Sequence, residues 1–94
     1  MEQHKAINRK EDGCYICGSH TMLERHHCTP GRANRQLAEE DGLCVWLCHR
    51  HHNTPYGVHY RPQLKLYFQQ LAQKTYEETH THEEWMARYG RNYL

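Results

Sequence analysis

Two short pairs of metal-binding residues constrain the fold of this 94-residue chain more than any other feature. Cys14 and Cys17 are separated by two residues, and Cys48 and His51 repeat that spacing further along the chain. Each pair can offer two ligands from one turn of backbone, and thiolate and imidazole are ligands that tetrahedral zinc prefers. The sequence therefore predicts that these four residues hold a structural zinc ion.

A chain of this size needs such a staple, because only 37% of its residues are hydrophobic. Its five cysteines cannot all pair as disulfides, and we interpret Cys28 and Cys44 as buried core thiols. Residues 1–13 lack the apolar segment of a secretory signal, and no run is long enough for a transmembrane helix. We therefore expect an intracellular protein with no membrane partner, in which closely spaced cysteines bind metal.

Four further histidines form a second pattern, with the doublet His26-His27 followed by His52 and His59. His52 directly follows the predicted zinc ligand His51 and can point away from it. Neighbouring residues of a strand face opposite sides, so we do not expect the two histidines of the doublet to be equivalent ligands. One can bind a metal ion while the other accepts a proton from water. The cluster predicts a second, catalytic metal site, and imidazole leaves the divalent ion open among Mg²⁺, Mn²⁺, Ni²⁺ and Zn²⁺.

The first half of the chain predicts a β-hairpin with a helix in its connection. Residues 23–28 and 43–47 have strand length, and the turn sequence Thr29-Pro30-Gly31 should end the first strand. A short helix is expected over residues 34–40, with Asn34 as its cap and Asp41-Gly42 as its end.

Helical patterns dominate the second half. Pro55 and Gly57 should break the helix that begins after the second strand. A longer helix is expected over residues 62–79, with a proline in its first turn, and a last one over residues 82–89, with Trp85 and Met86 facing inward and a glycine after it. The longer helix carries an apolar stripe that would serve the core or a dimer interface, formed by Leu64, Tyr67, Phe68, Leu71 and Tyr76.

We expect one α+β domain over residues 1–94. It would comprise a polar arm over residues 1–12, a zinc-stabilised core over residues 13–60 and a C-terminal helical extension over residues 61–94. Formal net charge is only +1, but arginines gather around the histidines while glutamates gather near the C-terminus. The basic side of the molecule would suit a phosphate-bearing partner.

Together these motifs resemble the HNH endonuclease superfamily in its zinc-stapled form. The resemblance is carried by Cys14-x2-Cys17, by Glu24-Arg25-His26-His27, and by residues 43–47 leading into Cys48-x2-His51-His52 and on to His59. Small phage and prophage HNH proteins are the most similar, since their chains end in a sequence like that of residues 89–94. The resemblance implies a ββα-metal core, in which a hairpin and a helix hold the catalytic ion, extended here by C-terminal helices.

The resemblance also implies roles for the histidines. It places the catalytic ion on His26, His52 and His59, and the role of general base on His27. The spacing between the last two ligands departs from the family, because His52 and His59 are seven residues apart where many members have four.

A second departure concerns the asparagine that helps to fix the base in the family. Gly42 stands in its slot, and Asn34 and Asn53 are the alternatives elsewhere in the chain.

The function implied is metal-dependent hydrolysis of DNA, in the cytoplasm of a bacterial host if the chain is phage-encoded. Arg32 and Arg35 are candidate phosphate contacts because their planar guanidinium groups suit that geometry. A second copy of the chain or a phage DNA-processing protein would be a further partner. The rival interpretation is a non-catalytic zinc module that binds nucleic acid or protein, with one metal per chain and DNA binding unaffected by His27→Ala.

Overall fold

A two-stranded antiparallel sheet and four α-helices make up residues 6–94, the part of the chain that the computed structural model describes. The strands are β1 (Leu23–His27) and β2 (Cys44–Cys48). The helices are α1 (Arg32–Asp41), α2 (His49–Asn53), α3 (Pro62–Glu77) and α4 (His82–Tyr89), and 3₁₀ turns lie at Lys10–Asp12 and Val58–Tyr60. The predicted α+β class is confirmed. Within residues 6–94, no helix combines the length and the apolar character needed to cross a membrane.

The two strands pair as predicted, with Leu23 opposite Cys48 at one end of the sheet. Because successive side chains of a strand face opposite sides, the two histidines of the doublet meet different helices. His26 packs against a histidine of α2, whereas Arg25 and His27 contact the same glutamate of α1. The short strand β1 thus separates two polar environments.

The predicted polar arm contributes more to the fold than its composition suggested. Its residues 1–5 lie outside the described part of the chain, but the Ile7 backbone N–H donates to the Cys44 carbonyl at 2.8 Å. The Asn8 side chain accepts a hydrogen bond from the Trp46 backbone N–H at 2.8 Å. Ile7 also packs against the core. Ile7 thus joins the core although it belongs to the predicted polar arm, because β2 has a free edge that this segment covers.

Helix α1 begins two residues before the predicted start and has no side-chain cap. Gly31 takes a φ of 94°, and its carbonyl accepts from the Arg35 N–H at 2.9 Å, so the first turn closes ahead of Asn34. The predicted role of Asn34 as the cap was wrong, since its side chain donates to the Tyr89 carbonyl at 3.3 Å. The end at Gly42, in the left-handed conformation, is as predicted.

The core fills the space between the sheet and the two C-terminal helices. Its largest fully buried side chains include Leu43, Leu47, Phe68 and Trp85, while Cys28 and Cys44 are buried as predicted. Tyr67 is 49% exposed, so the apolar stripe of α3 does not lie wholly in the core. Part of the Tyr67 ring is left at the surface.

Helices α3 and α4 begin as predicted, with a proline in the first turn of α3. Helix α3 ends at Glu77 rather than Thr79, and α4 is preceded by a capping box in which Thr81 and Glu84 satisfy each other's backbone N–H groups. In α4, Trp85 is fully buried and Met86 packs against the core. The inward orientation of both side chains is confirmed.

A buried glutamine holds the C-terminal tail against helix α3. Gln73 of α3 is fully buried; its side chain accepts from the Tyr93 N–H at 2.7 Å and donates to Asn92 at 2.8 Å. Trp85 Nε1 donates to the Arg91 carbonyl at 2.7 Å. Buried polar groups need such partners, so the tail is a structural part of the helical extension.

Candidate metal centres and active site

The first cysteine pair lies in a tight turn that glycines make possible. The Cys14 N–H donates to the Ser19 carbonyl and the Gly18 N–H to the Cys14 carbonyl, both at 2.8 Å. Gly13 has a φ of 81°, and a Cβ there would lie 2.4 Å from the Gly18 carbonyl oxygen. The Ile16 N–H points at the Cys14 sulfur at 3.4 Å. Backbone amides directed at sulfur are the environment that a thiolate ligand requires.

The predicted zinc ligands Cys14, Cys17, Cys48 and His51 form one group whose ligand atoms lie within 4.8 Å of one another. The Cys17 and Cys48 sulfurs are 3.8 Å apart, and His51 Nδ1 lies 3.3 Å from the Cys48 sulfur. Zinc–sulfur bonds of about 2.3 Å in a tetrahedron place two sulfurs about 3.8 Å apart. This group could hold a metal ion such as zinc.

The histidines His26, His52 and His59 form a second group of the same tightness. The Nε2 atoms of His52 and His59 are 3.0 Å apart, and the His26 ring centroid lies 5.2 and 5.3 Å from the other two. They come from β1, from α2 and from the 3₁₀ turn at Val58–Tyr60. The structure thus brings together the three residues predicted as ligands of the catalytic ion.

The chain covers the seven positions from His52 to His59 by a turn instead of a continuous helix. Helix α2 ends at Asn53, and Gly57 then packs so closely on it that a Cβ would lie 2.7 Å from the His52 carbonyl carbon. Only glycine tolerates that approach. The turn returns His59 to the side of α2 that carries His52.

Burial favours the neutral form of two of these histidines, His26 and His59. Burial, together with the nearby His52 and His59, lowers the pKa of His26 to about 3. Burial also lowers the pKa of His59. Neutral imidazole is the form that binds metal ions, so the fold presents these rings ready for a ligand role.

A carboxylate orients one of these rings. Glu24 Oε1 accepts from His52 Nδ1 at 2.8 Å and from the Asn53 side chain at 2.7 Å, while Oε2 accepts from His49 Nδ1 at 2.9 Å. The hydrogen bonds from His52 and His49 lower the pKa of Glu24 to about 2. With a proton on Nδ1, His52 has Nε2 available towards His59. Glu24 was not among the predicted site residues, although it lies two positions before His26, on the same face of β1.

His27 lies apart from the histidine group and meets helix α1. Its Nε2 atom is 2.7 Å from Glu39 Oε2, which also accepts from Arg25 Nε at 2.7 Å. Cys44 completes a third group of potential metal ligands, with its sulfur 3.9 Å from Glu39 Oε2. Burial raises the pKa of Cys44 to about 12, and a guanidinium already holds the carboxylate. We therefore interpret this group as a hydrogen-bonded ion-pair network.

Neither alternative for the family's asparagine reaches His27. The Asn34 side chain binds the backbone of Tyr89, and the Asn53 side chain binds Glu24. Glu39 is the side chain that contacts the imidazole, and no motif in the sequence pointed to it.

His27 and two members of the histidine group border one cavity of 320 Å³. His26, His27 and His59 line it, and the predicted phosphate contacts Arg32 and Arg35 line it as well. A third cation that the sequence pattern did not reveal is also part of the wall, namely Lys65 of α3. Its charge contributes to the lowered pKa values of His26 and His59. The cavity thus combines metal-ligand chemistry with positive charge.

Comparisons with known proteins assign no family to this arrangement. No family model, curated protein or solved structure matches the chain. The relationship to the HNH endonucleases stays a prediction, and the chemistry of the cavity has to be inferred from its own side chains. The histidine group beside the cavity could hold a metal ion, and the guanidinium groups in the cavity wall suit an anionic group.

Proposed function

We propose that this protein is a metal-dependent DNA endonuclease of the HNH type. The observation that carries the proposal is a cluster of three imidazoles, two of which line a cavity together with His27. The same cavity is walled by Arg32, Arg35 and Lys65. Three protein ligands leave a position open on a four-coordinate ion, as catalytic sites do. A purely structural metal site has no need of an adjacent cationic cavity.

The chain's own residues would divide the work of hydrolysis. His27 accepts a proton from water while the water oxygen bonds to phosphorus and the bond from phosphorus to the 3′ oxygen breaks. The 3′ oxygen takes a proton from solvent, giving a 5′ phosphate and a 3′ hydroxyl. A positioned base of this kind contributes about 10²–10⁴-fold. When bound to the three histidines, a divalent ion would supply Lewis acidity towards the phosphate and the leaving oxygen.

The three cations give the substrate its position. Arg32 and Arg35 follow β1 in the first turns of α1, and Lys65 faces the same cavity from α3. A DNA strand with its phosphate over the cavity would meet positive charge from two helices. Such contacts hold the backbone without reading sequence.

The donor set also narrows the choice of ion. Imidazole suits zinc and nickel, whereas magnesium prefers oxygen ligands. We therefore expect Ni²⁺ or Zn²⁺ to support the activity at lower ion concentrations than Mg²⁺ or Mn²⁺.

Cleavage of a supercoiled plasmid tests the proposal. Wild-type protein of known zinc content would be assayed with each of the four ions, beside His27→Ala and the control His82→Ala. His82 pairs with Glu77 on the helical extension, away from the cavity. We expect the His27 variant to lose about 10²-fold or more and the His82 variant to keep its activity.

Two results would contradict the proposal. Equal cleavage by wild type and His27→Ala would show that His27 is not the base or that a contaminant cuts. Absence of cleavage by wild type with all four ions, together with intact DNA binding, would favour the rival zinc-dependent binding module.

A further inference from the structure

Glu39 of α1 contacts His27, the proposed base. The resemblance to the HNH endonucleases suggested the role of His27 but assigned none to Glu39. We propose that Glu39 is a positioning residue, which holds His27 in the tautomer with its proton on Nε2 and so leaves Nδ1 as the basic atom. This inference rests on the proposed nuclease function and adds a residue to its machinery.

The geometry determines which ring nitrogen carries the proton. Glu39 Oε2 lies 2.7 Å from His27 Nε2 and 2.7 Å from Arg25 Nε. The Arg25 hydrogen bond, outweighing the effect of burial, holds the pKa of Glu39 below its usual range. A carboxylate can only accept hydrogen bonds, so Nε2 must donate. Within residues 6–94, Nδ1 has no hydrogen-bond partner, and the ring lines the cavity.

Arg25 fixes the carboxylate in turn. It stands two positions before His27 on β1, so the two side chains share one face of the strand. Its guanidinium lies 5.7 Å from the centroid of the Trp46 ring on the neighbouring strand. Glu39 is therefore held by a side chain that the sheet itself orients, and the imidazole is held by Glu39.

The charge of Glu39 has a second consequence during the reaction. When His27 accepts a proton its ring becomes a cation, and an ionised carboxylate 2.7 Å away stabilises it. Carboxylates behind catalytic and metal-binding histidines act in this way in other proteins. Because Glu39 is not part of the histidine group on the cavity wall, its loss should lower the rate without changing metal binding.

Two substitutions separate the tautomer from the charge. In Glu39→Gln the amide oxygen can still accept from both Arg25 and His27, so the tautomer is retained while the charge is lost. In Glu39→Ala both are lost. We expect kcat to fall about 10-fold in the glutamine variant and by up to about 100-fold in the alanine variant, with KM for DNA and metal content unchanged. The neighbouring Glu40→Ala is the matched control, since Glu40 is paired with Arg88.

Nitrogen-15 spectra of the imidazole rings provide a readout that does not depend on cleavage. At a pH where His27 is neutral, we expect its proton on Nε2 in wild type and in Glu39→Gln, and a mixture of tautomers in Glu39→Ala. A wild-type ring protonated on Nδ1 would overturn the inference whatever the activity. So would full kcat in a folded Glu39→Ala variant, which would leave the proposed nuclease intact. A wild type that binds DNA and cuts nothing would instead overturn the proposed function.

Discussion

The two candidate metal-binding groups share helix α2 and differ in their ligands and in their surroundings. His51 belongs to the group with Cys14, Cys17 and Cys48, and the next residue, His52, belongs to the histidine group. Successive residues of a helix are rotated by about 100°, so adjacent side chains can serve different sites. One short helix therefore connects a sulfur-rich site to an imidazole site.

The surroundings of the two groups indicate different tasks. The first group provides four ligands, two of its cysteines are buried, and backbone amides face its sulfur. The second provides three ligands, is oriented by Glu24 and lies beside a cationic cavity. A complete ligand set suits a structural ion, and an incomplete one beside a cavity suits chemistry. The difference can be tested, because loss of each ion should damage a different property.

Removal of a ligand from the cysteine group should have the largest effect. Structural zinc contributes about 10–16 kcal/mol of apparent binding free energy in small domains, which is comparable to the whole stability of a typical domain, about 5–15 kcal/mol. We expect Cys48→Ser, or a strong chelator applied to wild type, to unfold the chain, as measured by circular dichroism and proteolysis. The control is Cys28→Ala, which alters a buried cysteine that belongs to no ligand group. A folded, zinc-free Cys48→Ser variant would show that the hydrophobic core suffices.

Loss of a ligand from the histidine group should leave the fold intact and remove the activity. We expect His52→Ala to bind one metal per chain instead of two, to melt close to wild type and to lose about 10²-fold or more of plasmid cleavage. His49→Ala is the matched control, because His49 also bonds to Glu24 but lies outside the histidine group. Unfolding of the His52 variant would mean that both groups are structural, and the contrast between them would disappear.

The extent to which these sites could be predicted depends on how far apart in the chain their contacts lie. The ligand pairs can be recognised from their two-residue spacing alone. The end of α1 can be recognised from its glycine, which takes the left-handed conformation. Glu24 and His52 are 28 residues apart, and His27 and Glu39 are 12 apart. Such pairs depend on strand register and on where α1 packs, which no local pattern records. Neither Lys65 nor the core contact of Ile7 could have been inferred for the same reason.

Glu24 should produce the smallest of the three effects and provides the finest test of the comparison. It binds no ion in this scheme but fixes the His52 ring, and loss of such a carboxylate typically costs 10–100-fold in metal affinity or activity. We expect Glu24→Ala to weaken binding of the ion at the histidine group by about that factor and to leave binding at the cysteine group unaffected, as measured by isothermal titration.

Because its pKa is lowered to about 2, Glu24 stays ionised well below neutrality, and its contribution is lost only as pH falls through that value. The affinity ratio of wild type to variant should therefore be the same at pH about 8 and about 6. A ratio that collapses at the lower pH, or zinc lost from the cysteine group as well, would show that Glu24 supports the fold of α2 and not the orientation of one ring.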